Sequence, residues 1–125
     1  MRNNLKELKI LLVEDNEISL CAHANMLEEI SSAPDIAQTG QEALFMISIN
    51  DYDLILMDIG LPDIDGIEVT EKIRASLSEN AKKVVIIGLT AFDLEDVEKE
   101  CLSAGMNKVI RKPVHPTVLE RLIRM

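Results

Sequence analysis

Five polar residues stand where apolar runs stop. Glu14 and Asp15 follow KILLV (9–13), Asp58 follows DLILM (53–57), Thr90 closes KVVIIGLT (83–90), and Lys112 follows KVIR (108–111) directly before Pro113. A strand buried on both faces should not end in a carboxylate without compensation, because an unpaired buried charge is costly. Three acids brought together repel one another and raise at least one pKa unless a cation intervenes. A hard divalent ion with oxygen ligands answers that problem, Mg²⁺ foremost and Mn²⁺ as the alternative. The two charges of such an ion and the one on Lys112 balance the three carboxylates. A phosphoryl group on Asp58 would then be held by the metal, the ammonium and the Thr90 hydroxyl, the positioning and charge stabilisation that phosphoryl transfer needs. Asp58 would be the nucleophile.

That chemistry requires the five residues to share one edge, and the pattern of the chain supplies it. The three apolar runs are continuous, as in central strands covered on both faces. DIAQ (35–38) and KVIR (108–111) are shorter candidates for edge or near-edge strands. Helical patterns separate them: a stripe of Ala22, Met26, Leu27 and Ile30, then segments over 41–49, 67–77, 94–104 and 117–124. Gly40, Gly66, Gly105 and the prolines near 62 and 113–116 mark the turns. Five alternating βα units predict a parallel sheet with helices on both faces. In such open sheets functional groups gather beyond the carboxyl ends of the strands.

Composition narrows the function classes. The 125 residues suit one domain with a substantial core, 47% of them are hydrophobic and only 2% aromatic, so that core is aliphatic. Thirteen basic against 22 acidic residues give a formal charge of −9, which opposes binding to nucleic acid or to anionic membranes. No apolar stretch reaches the roughly 20 residues of a membrane span, and MRNNLKELK has no signal-peptide core. Cys21 and Cys101 lie far apart without metal-ligand spacing and read as free thiols in a reducing compartment. The expectation is a cytoplasmic, acidic unit over residues 1–125, with a core of about 9–124 and excision from a larger, membrane-anchored parent as an open alternative.

The stretches LLVEDN (11–16), LILMDIGLPDIDG (54–66), GLTA (88–91) and AGMNKVIRKP (104–113) resemble, together and in this order, the receiver domain of bacterial two-component response regulators. The likeness runs from about Lys9 to Arg124 and is greatest to receivers of hybrid histidine kinases. It implies a flavodoxin-like α/β fold, five parallel strands in the order 2-1-3-4-5 with five helices. It implies Glu14, Asp15, Asp58 and the Gly60 carbonyl as the Mg²⁺ site, Asp58 as phosphoacceptor, Thr90 as the switch hydroxyl and Lys112 as the phosphate-pairing lysine. The partners it implies are a histidine kinase dimerisation domain or a histidine phosphotransfer protein, with a phosphorylation-dependent dimer as a further expectation. Two positions depart from the common pattern. Val109 stands where many receivers carry an inward-turning Tyr or Phe, and Gly60 offers no side chain to guide a water.

Plainer readings exist for each residue alone. Glu14 or Asp15 could be a helix N-terminal acid, Thr90 a cap, Lys112 a solvated lysine, and Phe92 a shield over the phosphoryl group or a surface contact. His23 falls beside Met26 and Leu27 and reads as a packing residue with a polar edge, His115 as a loop residue, and the methionines as packing. Among whole functions, a haloacid dehalogenase-type phosphatase also uses a strand-end aspartate and Mg²⁺, but it needs a second acid where this chain has Gly60. A flavodoxin would want hydroxyls and glycine, not EDNE, after its first strand. A pseudo-receiver would not keep the full set of acids, threonine and lysine.

Overall fold

A computed structural model describes residues 8–124; residues 1–7 and 125 of the predicted unit lie outside it. Five strands form one parallel sheet: β1 (Ile10–Val13), β2 (Asp35–Ala37), β3 (Leu54–Asp58), β4 (Val85–Thr90) and β5 (Lys108–Arg111). Their spatial order is β2-β1-β3-β4-β5, the predicted 2-1-3-4-5 of a flavodoxin-like sheet. β1 and β3 are buried at every position, which is why ILLV and LILM are continuous and not alternating. The short β2 and β5 take the two edges.

Helices α1 (Glu17–Ile30) and α6 (Pro116–Arg124) pack together on one face, while α2 (Gly40–Ile49), α3 (Gly66–Arg74), the short α4 (Glu79–Lys83) and α5 (Leu94–Ala104) cover the other. The pleat divides the strand residues between two cores. Leu11, Val13, Ile55, Met57, Ile86 and Val109 join the α2–α5 side, and Ile10, Leu12, Leu54, Leu56, Ile87 and Leu89 join the α1–α6 side.

Three details depart from the sequence expectation. There are six helices among the described residues and not five, because the segment predicted as one helix over 67–77 ends at Arg74 and a separate turn of helix follows at Glu79–Lys83. Ser78 caps that turn, its hydroxyl accepting from the Ala81 N–H at 3.2 Å, and Arg74 ties it down by donating to the carbonyls of Ala81 and Gly105. The strand predicted from Lys83 accordingly begins at Val85. On α1 the buried residues are His23, Ala24, Met26 and Leu27, and Ala22 faces solvent, so the apolar stripe is rotated from the one expected.

The β3–α3 connection, residues 59–65, is fixed at both ends. Asp63 accepts from the Gly40 and Gln41 N–H groups at 2.8 and 2.9 Å, docking the loop on the N-terminus of α2 and holding its carboxyl below the usual carboxylate range. Gly66 donates to the Ile59 carbonyl at 2.8 Å, and a Cβ there would run into the Asp58 carbonyl oxygen and lie 2.9 Å from Ile59 Cα. Gly66→Ala should therefore destabilise the fold by about 1–3 kcal/mol through overpacking. Gly60→Ala, whose Cβ meets nothing within 4 Å, should stay within about 0.5 kcal/mol of the parent. Urea denaturation of the two variants checks this, with the midpoint falling for the first at unchanged slope.

Candidate functional site

Register brings the predicted residues to one edge. Val13 pairs with Met57, so Glu14 and Asp58 stand level on neighbouring strands. Asp58 pairs with Leu89 and Thr90 with Arg111, which places Thr90 and then Lys112 one step further along the same edge. Backbone bonds carry the ladders past the strand ends: Glu14 N–H to Ala37 at 2.9 Å, Ile59 N–H to Leu89 at 3.1 Å and Lys112 N–H to Thr90 at 2.8 Å. Glu14, Asp58 and Lys112 share the parity of Ile10, Leu56 and Ile110, the residues of the α1–α6 side.

The three charged groups meet there. Lys112 Nζ donates to both Glu14 carboxylate oxygens at 3.1 and 3.2 Å and lies 3.4 Å from Asp58 Oδ2. Glu14 is fully buried and Asp58 5% exposed, whereas Asp15 is exposed at the mouth. One carboxylate oxygen from each of Glu14, Asp15 and Asp58 lies within 4.8 Å of the others. Above them opens a cleft of about 290 Å³ lined by Asp15, Asp58, Gly60, Thr90, Phe92 and Lys112. Glu14 lies beneath it and not on its wall. The Thr90 hydroxyl is buried and accepts from the Phe92 N–H at 2.9 Å, and the Gly60 N–H donates to Asp58 Oδ1 at 3.1 Å. Every site residue predicted from sequence is thus gathered around this edge.

Electrostatics exposes what the set lacks. Burial, and then the hydrogen bond and charge of Asp58, push the Glu14 carboxyl up to about 7 although Lys112 pulls it down. One ammonium does not satisfy this many clustered acids. The shortfall, the carboxylate donors and the open mouth fit a hard divalent cation, with Asp15, Asp58 and Gly60 lining the cleft.

Sequence reasoning missed one neighbour of the site. His23, 3% exposed on α1, sits with Nδ1 3.8 Å from Glu14 Oε1 and accepts from the Val114 N–H through Nε2 at 3.3 Å. The signal available was a polar ring on an apolar stripe, which packing alone does not call for. Val109, 5% exposed, is part of the core.

An open parallel sheet with acids, a hydroxyl and a lysine at its carboxyl edge is what comparison with known proteins can now be set against. The Response regulator receiver domain family matches residues 10–124, and the chain belongs to that family. It is similar to the Aerobic respiration control sensor protein ArcB of Escherichia coli, 35% identical over 120 residues, covering 96% of this chain and 15% of that protein. It is also similar to Hybrid signal transduction histidine kinase B of Dictyostelium discoideum, 39% identical over 115 residues, covering 85% of this chain and 6% of that protein. The chain therefore spans only a small part of the length of these relatives. Among solved structures, the receiver domain of a sensor histidine kinase from Pseudomonas aeruginosa, with a magnesium ion coordinated in its active site cleft, is 37% identical with a TM-score of 0.84 over 94% of each chain. The chain is a receiver domain of two-component signalling, related to those of hybrid histidine kinases. No helix among the described residues is long and apolar enough to cross a membrane.

The raised Glu14 value makes stability depend on pH in a stated direction. Between the ordinary 4.5 and about 7, the folded chain keeps a proton that the unfolded chain has released, so stability falls as pH rises through that window. With a chelator present, Glu14→Gln should remove this slope and exceed the parent by roughly 1–3 kcal/mol at about pH 8, the gain shrinking toward about pH 5. Denaturant midpoints across that range decide it; a gain independent of pH would assign the effect to another cause.

Proposed function

We propose that Asp58 accepts a phosphoryl group from a phosphohistidine and that the domain reports this modification. The observation that carries the reading is the Lys112 ammonium 3.4 Å from a strand-end carboxylate in a cleft that also holds Thr90 and Asp15. An Asp58 oxygen attacks phosphorus, the bond from phosphorus to the histidine nitrogen breaks, and the imidazole leaves with the electron pair and takes up a proton. Mg²⁺, held by Asp15, Asp58, the Gly60 carbonyl and, from beneath, Glu14, supplies charge neutralisation on the transferred oxygens when bound. Lys112 pairs with one phosphoryl oxygen, and the Thr90 hydroxyl turns from Phe92 to donate to another. Gly60 positions no water by a side chain, so hydrolysis is left to solvent that enters past Phe92, which is 67% exposed.

The likeness to Hybrid signal transduction histidine kinase B of Dictyostelium discoideum supports a hybrid kinase as the parent. The phosphoryl donor is accordingly the dimerisation-domain histidine of a kinase or a histidine phosphotransfer protein, and the parent a hybrid sensor kinase working on the cytoplasmic side. A phosphatase of the haloacid dehalogenase type is disfavoured by Gly60, where that chemistry needs a second acid. The charge of −9 keeps nucleic acid off the partner list.

With acetyl phosphate and Mg²⁺ the intact mass should rise by one phosphoryl group that hydroxylamine removes, and Asp58→Asn should show no gain. Equal gain in the variant would remove the acceptor assignment. Lys112→Ala should bind Mg²⁺ but fail to switch.

Val109 sets the form of the output. A buried β-branched side chain has few rotamers, so phosphorylation should be read through Thr90 and the 90–95 loop. Amide shifts with and without a phosphoryl stand-in should be concentrated after Asp58 and Thr90 and collapse in Thr90→Ala. Large shifts at Val109 that survive in that variant would refute this route.

A further inference from the structure

His23 carries a buried hydrogen-bond donor with nothing to donate to. Its Nε2 accepts the Val114 N–H at 3.3 Å, so that nitrogen holds its lone pair and the ring proton lies on Nδ1. Burial and then the Lys112 charge keep the ring below its ordinary pKa, in keeping with a neutral imidazole. Among the described residues Nδ1 is buried and has no hydrogen-bond partner, and the acceptor it faces is Glu14 Oε1, 3.8 Å away. Buried donors are almost always paired, and an orphan calls for a reason. The carboxylate it faces is already held by other donors, away from the ring. Glu14 Oε1 takes Lys112 at 3.1 Å, and Oε2 takes Lys112 at 3.2 Å with the Asn16 N–H at 3.4 Å.

We infer that His23 is a positioning residue of the phosphoryl-transfer site, its Nδ1–H closing on Glu14 Oε1 when Lys112 leaves that carboxylate for the phosphoryl group on Asp58. This rests on the roles proposed above for Asp58 and Lys112. An ammonium has three N–H bonds and cannot keep two on Glu14 while serving a phosphoryl oxygen and Asp58 as well. Once it turns away, Glu14, a fully buried carboxylate, loses the ammonium hydrogen bonds and has the metal alone as counter-charge. His23 then needs to approach by about 1 Å to make a charge-assisted bond of normal length. The same ring grips Val114, two residues after Lys112, so the segment that moves and the carboxylate left behind are held by one side chain. A merely space-filling His23 would need only the bond to Val114.

Beryllofluoride with Mg²⁺ serves as the phosphoryl stand-in, and ¹⁵N-labelled histidine reports the ring. In the metal-free protein Nδ1 should be the protonated nitrogen. On addition of the stand-in its proton should move downfield and exchange more slowly, while Nε2 stays unprotonated. His23→Leu should weaken binding of the stand-in about tenfold, as loss of a group that orients a metal ligand does, and should also lower the metal-free thermal midpoint because the buried Val114 N–H loses its acceptor. His23→Asn, which keeps a donor near the Nδ1 position, should restore most of the affinity. A ring proton on Nε2, a ring signal unchanged by the stand-in, full affinity in His23→Leu, or a loss that Asn does not rescue would each overturn the positioning role. The ring spectra need no variant and decide the matter even if His23→Leu fails to fold. Failure of the parent protein itself to bind the stand-in would overturn the reading of Asp58, and this inference with it; binding with a silent ring overturns only the inference.

Discussion

The Lys112 ammonium, shared between buried Glu14 and Asp58 at 3.1–3.4 Å, is the contact on which the site depends. Two carboxylates at the ends of neighbouring buried strands repel one another, and one cation from the edge strand makes the cluster tolerable. The compensation is incomplete: Glu14 remains pushed up to about 7. A fully satisfied cluster would have no use for a metal ion. The same residual repulsion that weakens the metal-free fold gives the site its attraction for a cation, the usual cost of a preorganised polar site.

A parallel sheet delivers this arrangement without special loops. Strands buried on both faces must be apolar along their length, so charged groups are admitted only where the ladder ends and helix N-termini begin. Register then sets the spacing: the pairings of Val13 with Met57 and of Thr90 with Arg111 fix the relative heights of Glu14, Asp58, Thr90 and Lys112. The scaffold beneath is rigid, with Leu11, Leu12, Ile55 and Leu56 fully buried. Freedom is left to the loops beyond, anchored by Asp63 on one side and by the Thr90–Phe92 hydrogen bond on the other.

The parallel sheet and the residues at its carboxyl edge were legible in the sequence from where apolar runs stop, and the strand order came with the resemblance to receiver domains. Asp58, Thr90 and Lys112 could be placed by chain order alone, since a right-handed parallel sheet leaves few alternatives. What escaped was decided by contacts remote in sequence. The turn at Glu79–Lys83 is only 5 residues long, too short for periodicity to register, and it is fixed by Arg74 reaching across to the Ala81 carbonyl. The rotation of the α1 stripe away from Ala22 follows from His23 turning inward, and an imidazole gives no sign in sequence of which side it takes. Glu14 and Asp15 read as an acidic pair with no sign of which is buried; Glu14 is sealed beneath the cleft and Asp15 is open at its mouth.

These contacts also rank the forces that could hold the switch loop. Asp93 pairs with Arg111 at 3.3 Å across residues 90–95, but both side chains are more than half exposed, and such a pair is worth about 0–1 kcal/mol. Thr90 has a buried hydroxyl with one backbone donor, and redirecting it to a phosphoryl oxygen exchanges a neutral hydrogen bond for a charge-assisted one, roughly twice as strong. On the role proposed for Asp58, Lys112 would move in the same direction, drawn by a group bearing more charge than either carboxylate it serves. The surface pair would then be too weak to keep the loop in place, and strong enough only to narrow its range beforehand. With Val109 locked in the core, the proposed change would travel outward from Thr90 and Lys112 together, through the two loops that flank the cleft.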